Sequence, residues 1–354
     1  MSKSPSKSKK DLQPATELWS MYHPDQAQYS FNATDAASAR KWQTKTRQAL
    51  AKQIALDTIP LVAPQPQVIE EVDKKDYIRQ KIVIRTGPHS LMPVYILLPK
   101  DRPGPLPVVL AFHGHGYGVK DIVGLWEDGK ERDTPDGYHK DFAVDLCRAG
   151  FAVAAPEISC FGERQTDFSY LNEVPGQPAP TTCTHSSMLA FHLGLSVVGI
   201  RVHDGLRLVD YLETRKDMDI NRLGAMGISG GGMHTFFSTC LDNRIKACVV
   251  SGYYSTFQDS ILGMSHCACN FVPGLAKFGE MYDLVGLIAP RPMLIEAGTY
   301  DPIFPIRSVR SSVKKARSVY KVFNASNQIV TDYFEGRHQI SGRKSYDFLK
   351  QELV

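Results

Sequence analysis

A serine, a histidine and a carboxylate can together transfer an acyl group, because the imidazole takes the hydroxyl proton and the carboxylate orients the ring and stabilises its charged form. The 354-residue sequence offers such a set in the order Ser229, Asp301, His338. Ser229 sits in "MGISGG" (226 to 231), with four glycines among residues 227 to 232. The apolar run "RLGAMGIS" reads as a strand ending at the serine, and "GGMHTFFSTCLD" reads as the helix that starts just after it. A serine on such a strand-to-helix turn is held in a strained backbone conformation with its hydroxyl projecting, and Gly227 and Gly231 leave room for the turn. Asp301 follows the strand in "PRPMLIEAGTYDPIFP", and His338 follows the last strand in "VTDYFEGRHQISG". Alternatives for the acid are Glu296, inside its strand, and Asp332 and Glu335, on the last strand or its exit. Asp301 is preferred because the acid must reach the far ring nitrogen from a neighbouring strand end. His234, on the helix after the serine, reads as a helix-face histidine.

The chemistry also needs donors for an oxyanion. The backbone N–H of Gly230, directly after the serine, is one; the loop "AFHGHGYG" (111 to 118) supplies a second from His115 or Gly116. A metal site on His113 and His115 is a rival reading, but no carboxylate or third histidine stands nearby in sequence, and His113 reads as a loop anchor. "TCTH" and "HCACN" bring Cys183, His185, His266, Cys267 and Cys269 into consideration. Cys-x-Cys is not the usual spacing of a zinc knuckle, so a buried thiol cluster is expected, with a metal or redox pair as the alternative. No metal and no cofactor is expected. Arg201, Asp204 and Arg207, at helical i, i+3 spacing, read as a salt-bridged helix face. The segments 117 to 138, 160 to 188 and 254 to 284 are long enough to wall a substrate pocket, with Tyr117, Trp126, Phe161, His266 and Phe271 as candidate lining residues.

These residues need a frame. "LPVVLAFHG", "GFAVAAPEI", "RLGAMGIS", "IKACVVSGY", "PRPMLIEAG" and "QIVTDYFEG" are short apolar runs separated by helical patterns, one of them spanning "LAFHLGLSVVGIRVHDGLRLVDYLETR". That alternation predicts an α/β fold, a mostly parallel central sheet flanked by helices. An antiparallel hairpin from "YIRQKIVIRT" to "LMPVYILLPK" opens it. The domain reading is a disordered basic tail at 1–17, an N-terminal helical extension at 18–75, and a catalytic domain at 76–354.

Composition narrows the class. With 43% hydrophobic and 22% charged residues, the chain is globular in character. Its formal net charge of +4 gives no basic face for nucleic acid. No apolar run reaches membrane-span length, and none of signal-peptide length follows the basic start. Seven scattered cysteines suit reduced thiols in a cytoplasmic protein.

Taken together, "FHGHG", "GFGER", "GIRVHDGLRLVDYLETR", "GISGGG", "SGYYSTF", "HCACNFVPGL", "LIAPRPMLIEAGTYDPIFP" and the late histidine resemble the α/β-hydrolase superfamily, in its dienelactone-hydrolase-like and acetyl xylan esterase-like branch. The resemblance covers roughly residues 36 to 350. It implies a lid-bearing α/β-hydrolase fold and serine-dependent hydrolysis of carboxylic esters through an acyl-enzyme, on short-acyl (acetyl) esters such as acetylated carbohydrates. Dienelactone hydrolases proper use a cysteine where this chain has Ser229, and cephalosporin C deacetylase-type esterases carry His-Glu where it has "RHQI". The alternatives are a lactone hydrolase, a serine peptidase of the prolyl-oligopeptidase type, and an inactive binding protein. The expected partner is a small-molecule ester, with neither nucleic acid nor membrane; oligomeric state, a homo-oligomer included, is left open.

Overall fold

One mixed sheet organises the chain in this computed structural model, which describes residues 12–100, 102–173 and 178–354. Its strands are β1 (Gln67–Asp73), β2 (Tyr77–Gly87), β3 (Ser90–Pro99), β4 (Leu106–Phe112), β5 (Ala152–Pro156), β6 (Met218–Ile228), β7 (Ile245–Ser251), β8 (Met293–Gly298) and β9 (Ile329–Phe334). Their order is β1, β2, β3, β5, β4, β6, β7, β8, β9. The first three pair antiparallel, as does β3 with β5; the five pairings from β5 to β9 are parallel. β4, β5 and β8 are buried along their whole length, as parallel strands covered on both faces must be.

The helices are α1 (Pro14–Ser20), α2 (Ala36–Gln53), α3 (Phe142–Arg148), α4 (Thr182–His192), α5 (Val197–Leu212), α6 (Gly230–Leu241), α7 (Met281–Leu284), α8 (Ile306–Lys321) and α9 (Ser345–Leu353). Alternate strand residues serve the two faces. Val109, Val153, Met226 and Leu294 pack with α3 and α9, whereas Cys248, Met293 and Ile295 pack with α6 and α8. No single helix among the described residues is long and apolar enough to cross a membrane.

Three local features differ from the sequence expectation. Within the extension read as helical, residues 67–73 form β1, paired from Gln67↔Val83 to Asp73↔Ile78. Its side chains are almost all exposed, so no alternating apolar signal marked it. In the region read as a tail, 1–11 lie outside the described residues, but α1 starts at Pro14, a residue suited to a first helical position. The single long helix expected across 189–215 is two helices. Gly194 turns the chain at φ 74°, and Ser196 then caps α5 by accepting from Gly199 N–H at 3.1 Å, with 98° between the helices.

Candidate active site

The tight turn at the end of β6 is forced by close packing. A Cβ on Gly227 would stand 2.4 Å from the Gly231 carbonyl oxygen, and one on Gly231 only 1.9 Å from the Phe112 carbonyl oxygen. Only glycine fits where α6 crosses this close to β4 and β6. Between them Ser229 takes φ 56° and ψ −120°, a backbone conformation that non-glycine residues adopt only under strain. Its N–H donates to the Ser251 carbonyl at 3.0 Å and its carbonyl accepts from Met233 N–H at 2.9 Å, so neighbours hold the strained residue on both sides.

Asp301 and His338 come together from the loops after β8 and β9. His338 Nδ1 lies 2.7 Å from Asp301 Oδ2, while Asp301 Oδ1 accepts from the backbone N–H groups of Ile303 and Phe304 at 2.9 and 3.0 Å. The imidazole stacks on Phe304, with 5.7 Å between centroids, and packs over Gly252, where a Cβ would meet it at 3.0 Å. His338 Nε2 is buried and accepts no hydrogen bond among the described residues, so the Ser229 hydroxyl is not yet on it. Such contacts often tighten only with substrate bound.

The other carboxylates act around this pair. Glu296, almost fully buried, accepts from Ser251 Oγ (2.8 Å), Ser341 N–H (2.7 Å), Gly342 N–H (3.1 Å) and Ser345 Oγ (2.6 Å). It thereby ties the His338 loop to β7 and β8; burial raises its pKa above the ordinary carboxylate value. Asp332 accepts from Ser341 Oγ, and Glu335 is near the Tyr300 hydroxyl at the surface. His234 is buried and stacks on Phe112 at 3.8 Å, and burial drives its pKa well below the usual 6.5.

The loop after β4 is braced from beneath. His113 Nδ1 contacts the Gly114 carbonyl at 2.8 Å and its Nε2 accepts from Ile158 N–H at 3.1 Å. Gly114 N–H donates to His139 Nε2 at 2.7 Å, and the other ring nitrogen of His139 meets Asp121 at 2.7 Å. Arg132 in turn binds both Asp121 and Asp141. Gly114 N–H is thus committed, whereas the N–H groups of His115, Gly116 and Gly230 donate to nothing among the described residues. Gly230 is also the first residue of α6, where the helix dipole favours negative charge. The His115 ring lies against it, 3.3 Å from where a Gly230 Cβ would be.

A cavity of about 270 Å³ opens at Ser229, lined by Tyr138, His266, Ile303, Phe304 and His338 among others. A larger chamber of about 660 Å³ adjoins it, with Phe161, Phe168, Gln165, Thr166 and Thr184 in its walls; His115, His266 and Cys267 border both. Of the expected lining residues, His266 and Phe161 are here. Tyr117 is not: its hydroxyl donates to the Leu125 carbonyl and accepts from Arg132. Trp126 is half exposed above the Arg132 guanidinium, and Phe271 lines a separate apolar cavity with Phe257 and Leu275. Sequence reasoning missed Tyr138, which donates to the His115 carbonyl at 2.5 Å, and Phe304.

The expected salt-bridged face on α5 dissolves. Only Arg207 pairs along the helix, with Asp210; Asp204 is buried against Arg164. Arg201 is fully buried with no carboxylate partner among the described residues. It faces Cys183 and Cys269, which meet Cys267 and His115 with all four ligand atoms within 4.8 Å of one another. His185 and His266 lie apart, on Phe168 and on Ser260 Oγ.

Residues 12–331 match the profile of the family described as "Abhydrolase family". A Bacillus subtilis protein provisionally named as a hydrolase, YtaP, is 28% identical over 291 residues, covering 80% of this chain and 88% of its own. Among solved structures, a Bacteroides fragilis protein provisionally named as an acetyl xylan esterase matches with a TM-score of 0.73 at 18% identity, over 91% of this chain and 82% of that one. A glucuronoyl esterase from Solibacter usitatus matches with a TM-score of 0.61 at 16% identity, over 92% and 95%. At these identities the structural likeness speaks for the fold.

Proposed function

This chain belongs to the Abhydrolase family and has the α/β-hydrolase fold; from that premise we propose that it is a serine carboxylic-ester hydrolase working through an acyl-enzyme. One observation carries the reading: Ser229, at φ 56° on its glycine-flanked turn, shares a cavity with His338, whose Nδ1 is 2.7 Å from Asp301. His338 Nε2 takes the Ser229 proton as Oγ attacks the ester carbonyl, and Asp301 stabilises the imidazolium. The N–H groups of Gly230 and of His115 or Gly116 bind the developing oxyanion. His338 then protonates the leaving alcohol, and a water activated by the same ring releases the acid.

Acetyl-sized acyl groups are the proposed substrates. Support comes from the modest cavity at Ser229, about 270 Å³, in which Ile303 and Phe304 stand beside His338. The adjoining chamber offers hydroxyl and amide groups from Thr166, Thr184 and Gln165 beside Phe161 and Phe168, a mixture suited to a carbohydrate alcohol. The test is turnover of p-nitrophenyl esters from acetyl to octanoyl, beside acetylated xylo-oligosaccharides, by wild type and Ser229→Ala. Serine-dependent turnover that falls with acyl length, with acetate released from the sugar, is the expected result. Equal octanoyl turnover would overturn the short-acyl assignment, and absence of serine-dependent turnover on every ester would overturn the hydrolase reading.

A further inference from the structure

We infer that His115 Nε2 and the sulfurs of Cys183, Cys267 and Cys269 form a tetrahedral site for a divalent metal of zinc type, which staples together three segments around the pocket. The ligands come from the loop after β4, the first turn of α4 and the 266–270 segment, and all four atoms lie within 4.8 Å of one another. His115 Nε2 and Cys269 Sγ are 3.7 Å apart. Bond lengths of about 2.3 Å to sulfur and 2.0 Å to nitrogen give tetrahedral edges of about 3.5–3.8 Å, so this pair already has the spacing of two ligands on one ion. One imidazole and three thiolates is the donor set of a structural zinc centre.

Charge supplies a second, independent argument. Arg201 is fully buried, 3.4 Å from Cys269 Sγ and 3.9 Å from Cys183 Sγ, and its remaining bond is to the Ser159 carbonyl at 3.1 Å. No carboxylate among the described residues pairs with it, and a buried guanidinium needs a counter-charge. Three thiolates on a divalent cation carry a net charge of −1, which Arg201 neutralises. Four neutral ligands would leave its charge uncompensated in the interior.

The consequence reaches the neighbouring site without depending on its chemistry. His115 and Cys267 border both chambers, and the His115 backbone belongs to the loop with the uncommitted N–H groups. Metal binding would therefore fix that loop against α4 and the 266–270 segment, as outer ligands fix functional groups in other sites.

The experiment is metal analysis of the full chain purified without chelator, with cobalt reconstitution of chelator-stripped protein. One zinc per chain, a cobalt spectrum with a thiolate-to-metal charge-transfer band, and a thermal midpoint lowered by stripping and restored by zinc are expected. Cys267→Ser, at a partly exposed position, loses stoichiometric metal and the band, whereas Cys147→Ser, on the buried face of α3, keeps both. If Cys183→Ser or Cys269→Ser fails to fold, the wild-type spectrum and Cys267→Ser still decide. Wild-type protein that binds neither zinc nor cobalt overturns the inference, as does unchanged metal in Cys267→Ser. An intact mass lower by two hydrogens, with two of these thiols unreactive, would show a disulfide instead and equally overturn it.

Discussion

Replacing Asp301 by asparagine changes one atom and tests how the acid orients the base. Oδ1 of Asp301 accepts from two backbone N–H groups, those of Ile303 and Phe304, while Oδ2 faces His338 Nδ1 at 2.7 Å. In Asp301→Asn the amide oxygen must stay on the two backbone donors, because turning the NH₂ towards them would leave both unpaired at about 1–3 kcal/mol each. The NH₂ then donates to His338 Nδ1, the ring proton moves to Nε2, and Nε2 no longer accepts from Ser229. A wrong tautomer of this kind costs about 10⁴-fold in kcat, or about 5 kcal/mol of transition-state stabilisation. Steady-state hydrolysis of p-nitrophenyl acetate measures it, with KM and the thermal midpoint near wild type. A folded variant within about tenfold of wild-type kcat would refute this tautomer argument.

Gly231→Ala drives a methyl to 1.9 Å from the Phe112 carbonyl oxygen, so stability drops by about 3 kcal/mol or more, read as a lower denaturation midpoint; an unchanged midpoint contradicts the packing described. Glu296→Gln puts an NH₂ opposite one of two backbone donors, Ser341 N–H or Gly342 N–H. It costs about 1–3 kcal/mol in stability and lowers kcat more than it raises KM, because the His338 loop loosens; identical stability and kcat would refute that role. His234 makes stability pH-dependent: its folded pKa lies well below 6.5, so the unfolded chain takes up the proton first. Its contribution is complete above pH 6.5 and is lost as pH falls below that value. Wild type then loses about 1.4 kcal/mol more per pH unit than His234→Gln, and parallel stability curves would contradict it.

The turn at Ser229 was readable in the sequence because its glycines answer a steric demand that no other residue meets, and the strand before it and helix after it have distinct periodicities. Asp301 and His338 were readable because parallel strands deliver their loops to one edge of the sheet, and only the order of strands had to be inferred. The pocket was less legible. An aromatic in a long loop carries no sign of which wall it joins, so the sequence points to Tyr117, Trp126 and Phe271, whereas Tyr138 and Phe304 line the cavity at Ser229. Arg201 looked like one member of a charged helix face, and nothing local revealed that its side chain runs inward. The thiol cluster of Cys183, Cys267 and Cys269 is legible in the sequence, but its imidazole is not: His115, in the loop after β4, joins the three sulfurs where the sequence offers His185 and His266. β1 escaped because an exposed edge strand needs no apolar alternation.

The central claim is that Ser229 is the nucleophile, and labelling with a fluorophosphonate, read by intact and peptide mass spectrometry, tests it most directly. The predicted result is one adduct per chain on the Ser229 peptide, absent from Ser229→Ala, with ester turnover lost in step with labelling. Full turnover in Ser229→Ala, or an adduct on Cys267 or Cys269 with Ser229 unmodified, would contradict it.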